Sequence, residues 1–205
     1  MKVLIFDTET TGLPVKGGSV YLQPKVVQFA AVAFKFHPDG KSEQIGKFMW
    51  YVNPGCKIPA GAVACHGITD ERVKYAPPFK GIFEVVREMV EEVDFVAGHN
   101  VTYDLDVLRW EAQRLNVPPV RLRNMALDTM LGGTDLCKFP GRMGSYKWPK
   151  LEELHRFLFG KGFEGAHDAL GDVEATGRCL AEMALRGLFP ALAAQQRQQT
   201  SIDTF

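Results

Sequence analysis

Five side chains that can bind a cation or move a proton are spread over three short segments of the chain. Asp7 and Glu9 are two positions apart, directly after the apolar run KVLIF, so in a strand both carboxylates would point to the same face. Two like charges held close together are costly unless a cation lies between them. A strand that ends in a polar turn would contain the same residue types, so this pair alone leaves both interpretations open.

The other two segments supply the remaining carboxylates and a histidine. Asp104 in GHNVTYD starts a predicted helix, where the helix dipole favours an anion whether or not a metal is bound. His167 and Asp172 are five positions apart in GAHDALGD, and histidine is the side chain best suited to deprotonate water near neutral pH. Mg²⁺ and Mn²⁺ prefer carboxylate oxygens. Two such ions about 3.5–4 Å apart can stabilise the attacking and leaving oxygens of a phosphodiester displacement.

The hydrophobic patterns around these segments predict an α/β fold with a mixed sheet. Strands are predicted at residues 2–6, 26–36, 48–52 and 95–97, and helices at 79–92, 101–115, 151–158 and 173–188. The helix at 101–115 is predicted to be capped by Asn100 or Thr102 and to stop before Pro118 and Pro119. Strands come first and helices then alternate with short strands, which favours a mixed sheet.

Composition and charge restrict the class of protein. A chain of 205 residues suits one domain, and its longest apolar stretch, residues 26–36, is interrupted by Gln28 and Lys35 and is too short to span a membrane. The first residues resemble neither a secretory signal nor a transit peptide, so we expect a cytoplasmic protein with no membrane partner. With 24 basic and 24 acidic residues, the chain is unsuited to wrapping a long duplex.

The four cysteines show no paired spacing. We therefore expect reduced, buried or half-buried thiols rather than a disulfide framework or a zinc site. They are Cys56, Cys65, Cys137 and Cys179.

Three motifs carry a family resemblance. FDTETTGL (residues 6–13), HNVTYD (99–104) and HDALGD (167–172) resemble, in order and spacing, the exonuclease motifs of the DEDD superfamily, histidine subtype, over about residues 1–186. Tyr103 stands where that family usually has Phe. The resemblance implies a ribonuclease H-like mixed sheet flanked by helices and two divalent cations, Mg²⁺ or Mn²⁺. It also implies His167 as the general base and, as metal ligands, Asp7, Glu9, Asp104 and Asp172.

The resemblance implies a 3′–5′ exonuclease that binds the single-stranded 3′ end of DNA and releases nucleoside 5′-monophosphates. The similarity is greatest to the epsilon proofreading subunit of bacterial DNA polymerase III, which makes a polymerase subunit a possible partner. An enzyme that trims RNA 3′ ends, like ribonuclease T or oligoribonuclease, is the alternative with the same chemistry, because the sequence does not show whether a 2′-hydroxyl is tolerated. A non-catalytic nucleic-acid or clamp-binding module is disfavoured because all five key residues are present.

Residues around the motifs are predicted to hold the substrate end. Gly12 would allow close approach of the backbone, and Leu13 could wedge against a base, although TTGL also suits a plain turn. His66 and Ile68 resemble the HGI loop of bacterial proofreading exonucleases, with a packed turn as the alternative. The spacing to Asp172 favours His167 over His66 as the base. The predicted substrate-binding set is Thr10, Gly12, Leu13, His66, Ile68, Asn100 and Tyr103.

A segment near residues 136–151 interleaves cations with aromatic side chains and contains no acidic residue. Such a composition suits single-stranded nucleic acid through stacking and phosphate contact, and a solvated loop with packed aromatics is the alternative. Its cations and aromatics are Lys138, Phe139, Arg142, Tyr146, Lys147, Trp148 and Lys150.

The C-terminal end is predicted to lie outside the exonuclease domain. We assign residues 1–190 to that domain and 191–205 to a flexible polar tail. Within the tail, Gln199, Ile202 and Phe205 have the spacing of peptides that bind sliding clamps, which predicts a clamp as a second partner. A frayed terminus without a partner is the alternative.

Overall fold

A five-stranded sheet forms the centre of the computed structural model, which describes residues 1–37, 41–165 and 168–193. The strands lie in the order β3-β2-β1-β4-β5. The first strand runs antiparallel to the second and parallel to the fourth, so the predicted mixed sheet is confirmed. The strands are β1 (Lys2–Thr10), β2 (Val26–Phe36), β3 (Ser42–Tyr51), β4 (Phe95–Gly98) and β5 (Leu127–Asp128).

Helices cover both faces of the sheet. They are α1 (Ala60–His66), α2 (Asp70–Val73), α3 (Phe83–Glu91), α4 (Val101–Leu115), α5 (Thr129–Cys137), α6 (Leu151–Phe159), α7 (Ala169–Leu185) and α8 (Pro190–Ala193). Short 3₁₀ segments occur at Val20–Leu22, Phe79–Gly81 and Arg142–Gly144. Within the described part of the chain, no helix combines the length and the hydrophobicity needed to cross a bilayer.

The central strand β1 contributes alternate side chains to two cores. Leu4 and Phe6 pack with apolar residues of α3 and α4 on one face. Val3 and Ile5 pack with α5, α6 and α7 on the other. Because both faces are covered, β1 and β2 begin as nearly continuous apolar runs, which is why their positions could be predicted.

β1 is longer than its apolar run, because residues 7–10 continue to pair with β2. Asp7 lies opposite Ala30 and Glu9 opposite Gln28, and a bulge follows between Glu9 and Thr10. Side chains two apart on a strand share a face, so both carboxylates lie on the same side as Ile5, which packs towards α7. The strand therefore presents the predicted pair to the helix that carries Asp172.

The predicted bounds of α4 are confirmed and Asn100 is its N-cap residue as predicted, but the cap differs from the expected one because it involves no side-chain hydrogen bond. Asn100 occupies the N-cap in a left-handed conformation, and its side chain makes no capping hydrogen bond. Its backbone N–H instead donates to the carboxylate of Asp128, 3.0 Å away. α4 ends at Leu115, and the C-cap residue Asn116, also left-handed, follows it before the two prolines.

Other boundaries differ from the sequence prediction. β3 begins at Ser42 rather than at residue 48, α3 begins at Phe83 after a 3₁₀ turn, and α7 begins at Ala169 rather than at 173. The predicted strand at 95–97 and the helix at 151–158 are each one residue longer. The sequence prediction missed α1, α2, α5, α8 and β5.

Candidate active site

Three carboxylates from two elements meet at the end of the sheet. Asp7 and Glu9 of β1 and Asp172 in the first turn of α7 each offer one oxygen, and these oxygens lie within 4.8 Å of one another. All three side chains are half-buried. A group of carboxylate oxygens this close is a donor set that suits a hard divalent cation.

Asp104 approaches this cluster from α4. It is buried, and its Oδ1 accepts hydrogen bonds from the backbone N–H of Thr8 at 2.9 Å and from the hydroxyl of Thr8 at 2.7 Å. Thr8 lies between Asp7 and Glu9 on β1, so these two bonds fix the first turn of α4 against the strand that carries the carboxylate pair. Sequence reasoning had not identified Thr8.

Burial and mutual repulsion raise the pKa values of these carboxyl groups. The pKa of Glu9 is raised to about 7, first by burial and then by the charges of Asp172, Asp104 and Asp168. Burial raises the pKa of Asp104 to about 7, although the bonds from Thr8 oppose the shift. The pKa of Asp7 is raised well above its ordinary value by burial and its carboxylate neighbours. A divalent cation would relieve this repulsion, so the residues fit such an ion.

Glycines allow a tight approach at the start of α7. Gly165 has a left-handed φ of 81°, and a Cβ added at Gly171 would lie 2.3 Å from the carbonyl oxygen of Gly165. Gly165 can therefore lie against the first turn of the helix only because position 171 has no side chain. This places Asp172 one residue after a point of direct backbone contact.

A cleft of about 990 Å³ opens beside the cluster. Glu9 lines the cleft and also belongs to the carboxylate cluster, so a molecule in the cleft can reach the carboxylates. Five of the seven predicted substrate-binding residues line this cleft, namely Thr10, Gly12, Leu13, His66 and Tyr103. Ile68 is instead buried with Val27, Ile58 and Val73. Asn100 is not among the residues that line the cleft, and it begins α4.

The cleft wall at residues 10–13 is tied to α4. The Tyr103 hydroxyl oxygen lies 2.6 Å from the Thr10 hydroxyl oxygen and donates to the carbonyl of Gly12 at 3.0 Å. Thr10 is buried, whereas the Leu13 side chain is 84% exposed at the rim. The hydroxyl that distinguishes Tyr103 from phenylalanine therefore fixes the backbone that precedes the exposed Leu13.

His66 ties α1 to the same wall. The backbone N–H of Ile68 donates to Nδ1 of His66 at 3.0 Å, so the ring proton of neutral His66 is on Nε2, which faces the Thr10 carbonyl at 3.2 Å. Burial lowers the pKa of His66, consistent with this neutral form. Both ring nitrogens are engaged within the chain, which disfavours His66 as a general base.

The segment of interleaved cations and aromatic side chains at residues 136–151 connects to the site through His99. Nε2 of His99 lies 2.9 Å from the carbonyl oxygen of Pro149, and Nδ1 lies 3.0 Å from the hydroxyl of Thr129. Trp148 is 64% exposed, and the Lys147 ammonium pairs with Glu153. The segment is thus attached next to the second motif and presents an exposed aromatic side chain. Its proposed contact with nucleic acid stays a prediction.

The cysteines are free thiols, as predicted, but only two are buried. Cys137 and Cys179 are buried, whereas Cys56 and Cys65 are exposed and line the cleft. The exposed pair was not expected, because a residue at the mouth of a cleft leaves no hydrophobic pattern in the sequence.

Some predicted site residues lie outside the part of the chain that the structure describes. His167 is one of them, although Asp168, the next residue in sequence, is described. The three clamp-peptide residues, Gln199, Ile202 and Phe205, are the others. These assignments stay predictions from the sequence.

An α/β sheet with a strand-borne carboxylate pair, completed by carboxylates from two helices, defines a class of metal-dependent nucleases. The chain belongs to the exonuclease family, since the model of the family described as Exonuclease matches residues 4–180. This confirms the resemblance carried by the three motifs, and family members of this type use divalent metal ions.

Curated relatives cover nearly all of this chain. A DNA polymerase III subunit epsilon-like protein of Rhodobacter capsulatus is 35% identical over 193 residues, which are 94% of this chain and 24% of that protein. The 3′-5′ exonuclease DinG of Bacillus subtilis is 30% identical over 186 residues, 89% of this chain and 17% of that protein. The chain thus spans a quarter or less of the length of these relatives.

Solved structures share the fold. Exonuclease X in complex with 5′ overhanging duplex DNA has a TM-score of 0.60 and 24% identity, over 90% of this chain and 92% of that chain. The nuclease domain of 3′hExo, described as a DEDDh family member bound to rAMP, has a TM-score of 0.68 and 18% identity, over 91% of this chain and 93% of that chain. The expected ribonuclease H-like sheet flanked by helices is therefore confirmed.

Proposed function

We propose that this chain is a metal-dependent 3′–5′ exonuclease that releases nucleoside 5′-monophosphates from single-stranded 3′ ends of DNA. The observation that carries the proposal is the position of Glu9, which lies both in the cluster with Asp7 and Asp172 and on the wall of the cleft. A terminal nucleotide in the cleft would place its phosphate next to the carboxylate cluster.

The carboxylates would hold two divalent cations, with Asp7, Glu9, Asp104 and Asp172 as ligands. Bound there, the cations would neutralise charge on the scissile phosphate and on the leaving 3′ oxygen. His167 would take a proton from the attacking water as its oxygen bonds to phosphorus. The bond between phosphorus and the 3′ oxygen would break, the 3′ oxygen of the shortened strand would take up a proton from solvent, and the 5′-phosphate would leave with the terminal nucleoside. Thr8 would hold Asp104 in position through its two hydrogen bonds.

The preference for DNA is supported by relatives whose names refer to DNA polymerase III, including the PolC-type polymerase of Streptococcus pneumoniae, 31% identical over 177 residues. That match covers 86% of this chain and 11% of the polymerase. The association with a polymerase that these names suggest belongs to the same proposal. RNA trimming is the alternative, and a comparison of DNA and RNA substrates distinguishes the two.

Hydrolysis of 5′-labelled single-stranded DNA and RNA oligonucleotides of matched sequence tests the function. With Mg²⁺ or Mn²⁺ we expect a ladder that shortens from the 3′ end, with nucleoside 5′-monophosphates as products, and no ladder with EDTA. Faster cleavage of DNA would support the substrate assignment, and faster cleavage of RNA would replace it with RNA trimming.

A chemically blocked substrate supplies the control for direction. An oligonucleotide with phosphorothioate linkages at its 3′ end should resist degradation, whereas the same linkages at the 5′ end should leave the ladder intact. Internal cuts, mononucleotides released from a 5′ label, or no cleavage by folded protein in either metal would contradict the proposal.

The hydroxyl of Tyr103 should affect substrate binding more than turnover. Removing it in Tyr103→Phe deletes the contacts to Thr10 and Gly12 while keeping the ring. The loss of these two contacts predicts a KM raised about 3–10-fold with kcat within twofold, because the loop is loosened but the carboxylates are untouched. Steady-state kinetics on a single-stranded oligonucleotide measure both values. Tyr75→Phe, at a tyrosine that is 86% exposed, is the matched control, and an unchanged KM in Tyr103→Phe would contradict the prediction.

A further inference from the structure

Gln28 is a fully buried amide in a strand that is otherwise apolar around it. It lies in β2 between Val27 and Phe29, and all three side chains have no solvent exposure. Directly opposite, across the β1–β2 pair, is Glu9 of the carboxylate cluster. Opposed residues of an antiparallel pair share a face, so Gln28 lies on the side of the sheet that faces α7.

Both ends of the Gln28 amide contact the start of α7. Nε2 donates to Oδ1 of Asp168 at 2.9 Å, and Oε1 accepts from the backbone N–H of Ala169 at 3.2 Å. The N-cap residue Asp168 makes no side-chain capping bond of its own. A side chain 141 positions earlier in the sequence thus satisfies the first N–H of the helix.

Packing alone does not account for an amide at this position. Burying an amide is costly unless it is hydrogen-bonded, whereas an apolar residue of similar volume would suit a strand that is packed on both faces without needing any partner. Its two bonds join β2 to the first turn of α7. The backbone N–H of Asp172 in turn donates to the carbonyl of Asp168 at 3.0 Å. The contact of Gln28 is therefore one helical turn from a proposed metal ligand.

We propose that Gln28 is a positioning residue that holds the first turn of α7, and with it Asp172, at the correct distance from Asp7 and Glu9. This inference rests on the proposed exonuclease function. His167 directly precedes Asp168 in the sequence, so the residue that Gln28 contacts is the neighbour of the proposed base along the chain. Supporting contacts of this kind determine how well ligands and catalytic groups are oriented.

Exchanging the donor and the acceptor tests the bond between Gln28 and Asp168. In Gln28→Glu, two carboxylate oxygens would face each other at the 2.9 Å contact, so we expect kcat to fall about 10–100-fold with KM within threefold. Asp168→Asn alone keeps a hydrogen bond with the glutamine and should stay within threefold of wild type. The double variant Gln28→Glu/Asp168→Asn restores the bond with donor and acceptor exchanged and has the net charge of wild type. Its kcat should be at least tenfold above that of Gln28→Glu.

Gln28→Met removes both bonds at similar volume and without adding charge, so it separates the bond from a simple charge effect. Its affinity for Mn²⁺, measured by thermal shift without substrate, should fall about tenfold, because Asp172 is no longer held against the pair. Wild-type Mn²⁺ affinity and kcat in Gln28→Met, or no recovery in the double variant, would overturn the inference. An inactive wild type that still binds Mn²⁺ more tightly than Gln28→Met would contradict the proposed function alone and leave Gln28 as a positioning residue of a metal site.

Discussion

Replacing Asp7 by asparagine should lower kcat about 10³-fold or more and, in the same protein, raise the melting temperature of the metal-free form. Activity falls because Asp7 belongs to the cluster with Glu9 and Asp172, and the loss of its charge would weaken the binding of the cation that stabilises the transition state. Stability rises because the pKa of Asp7 is held well above its ordinary value in the folded protein by burial and by Asp104.

The sign of the stability effect depends on pH. A carboxyl group whose folded-state pKa is raised destabilises the folded protein at every pH above its unfolded-state pKa, and the penalty grows until the folded-state pKa is passed. Because the pKa values of Glu9 and Asp104 are both about 7, metal-free wild type should lose stability as pH rises from about 4 towards 7. Asp7→Asn should melt about 3–8 °C higher than wild type at pH 8 and converge with it near pH 4.

Differential scanning calorimetry in EDTA and then in Mg²⁺ measures both effects. Mg²⁺ should raise the melting temperature of wild type at pH 8 and raise that of Asp7→Asn much less. Asp135→Asn, at an exposed aspartate outside the site, is the matched control and should behave as wild type. A metal-free Asp7→Asn protein that melts below wild type at pH 8 would show that repulsion among the carboxylates does not destabilise the folded protein.

The positions of the key carboxylates could be predicted because they are attached to elements with strong patterns. The apolar run at residues 2–6 places Asp7 and Glu9 on the end of a strand, and the periodic helix 101–115 places Asp104 in its first turn. Both elements are buried against the sheet, so their hydrophobic periodicity reports their structure directly.

Elements built on glycine or on side-chain capping could not be predicted. α5 contains Gly132 and Gly133, which lower helix propensity, yet a Cβ at these positions would lie 3.0 Å from Phe189 and 3.1 Å from Leu154. Close packing leaves little room for a side chain at these two positions, and the carboxylate of Asp128 caps the helix by accepting from the N–H groups of Met130 and Leu131. Neither contact leaves a periodic signal.

The contacts that orient the site were also beyond the sequence. Thr8 to Asp104 and Gln28 to Asp168 join residues 96 and 140 positions apart. The one visible sign of the second contact was a glutamine that interrupts the apolar run of β2. A polar residue inside a strand that is packed on both faces predicts a buried partner, although only the fold shows which partner it is.

Replacing His167 by glutamine should lower kcat about 10²–10⁴-fold and leave metal binding intact. The residue is assigned as the proton acceptor from its place in HDALGD, and glutamine can occupy a similar volume but cannot accept a proton near neutral pH. If His167 is the base, the rate of wild type should rise with pH as a histidine loses its proton, and that inflection should be lost in His167→Gln.

Comparison with Asp7→Asn and His66→Gln separates the base from the other roles. Mg²⁺ should still raise the melting temperature of His167→Gln at pH 8, whereas it should do so much less in Asp7→Asn, since only the latter lacks a ligand. His66→Gln removes a ring whose two nitrogens already contact Ile68 and Thr10, so its effect should appear in KM, with the pH profile retained. If His66→Gln loses the inflection and His167→Gln keeps it, the assignment of the base is reversed. If both variants keep it, the proton passes to a group other than histidine, and the carboxylates then act without a histidine base.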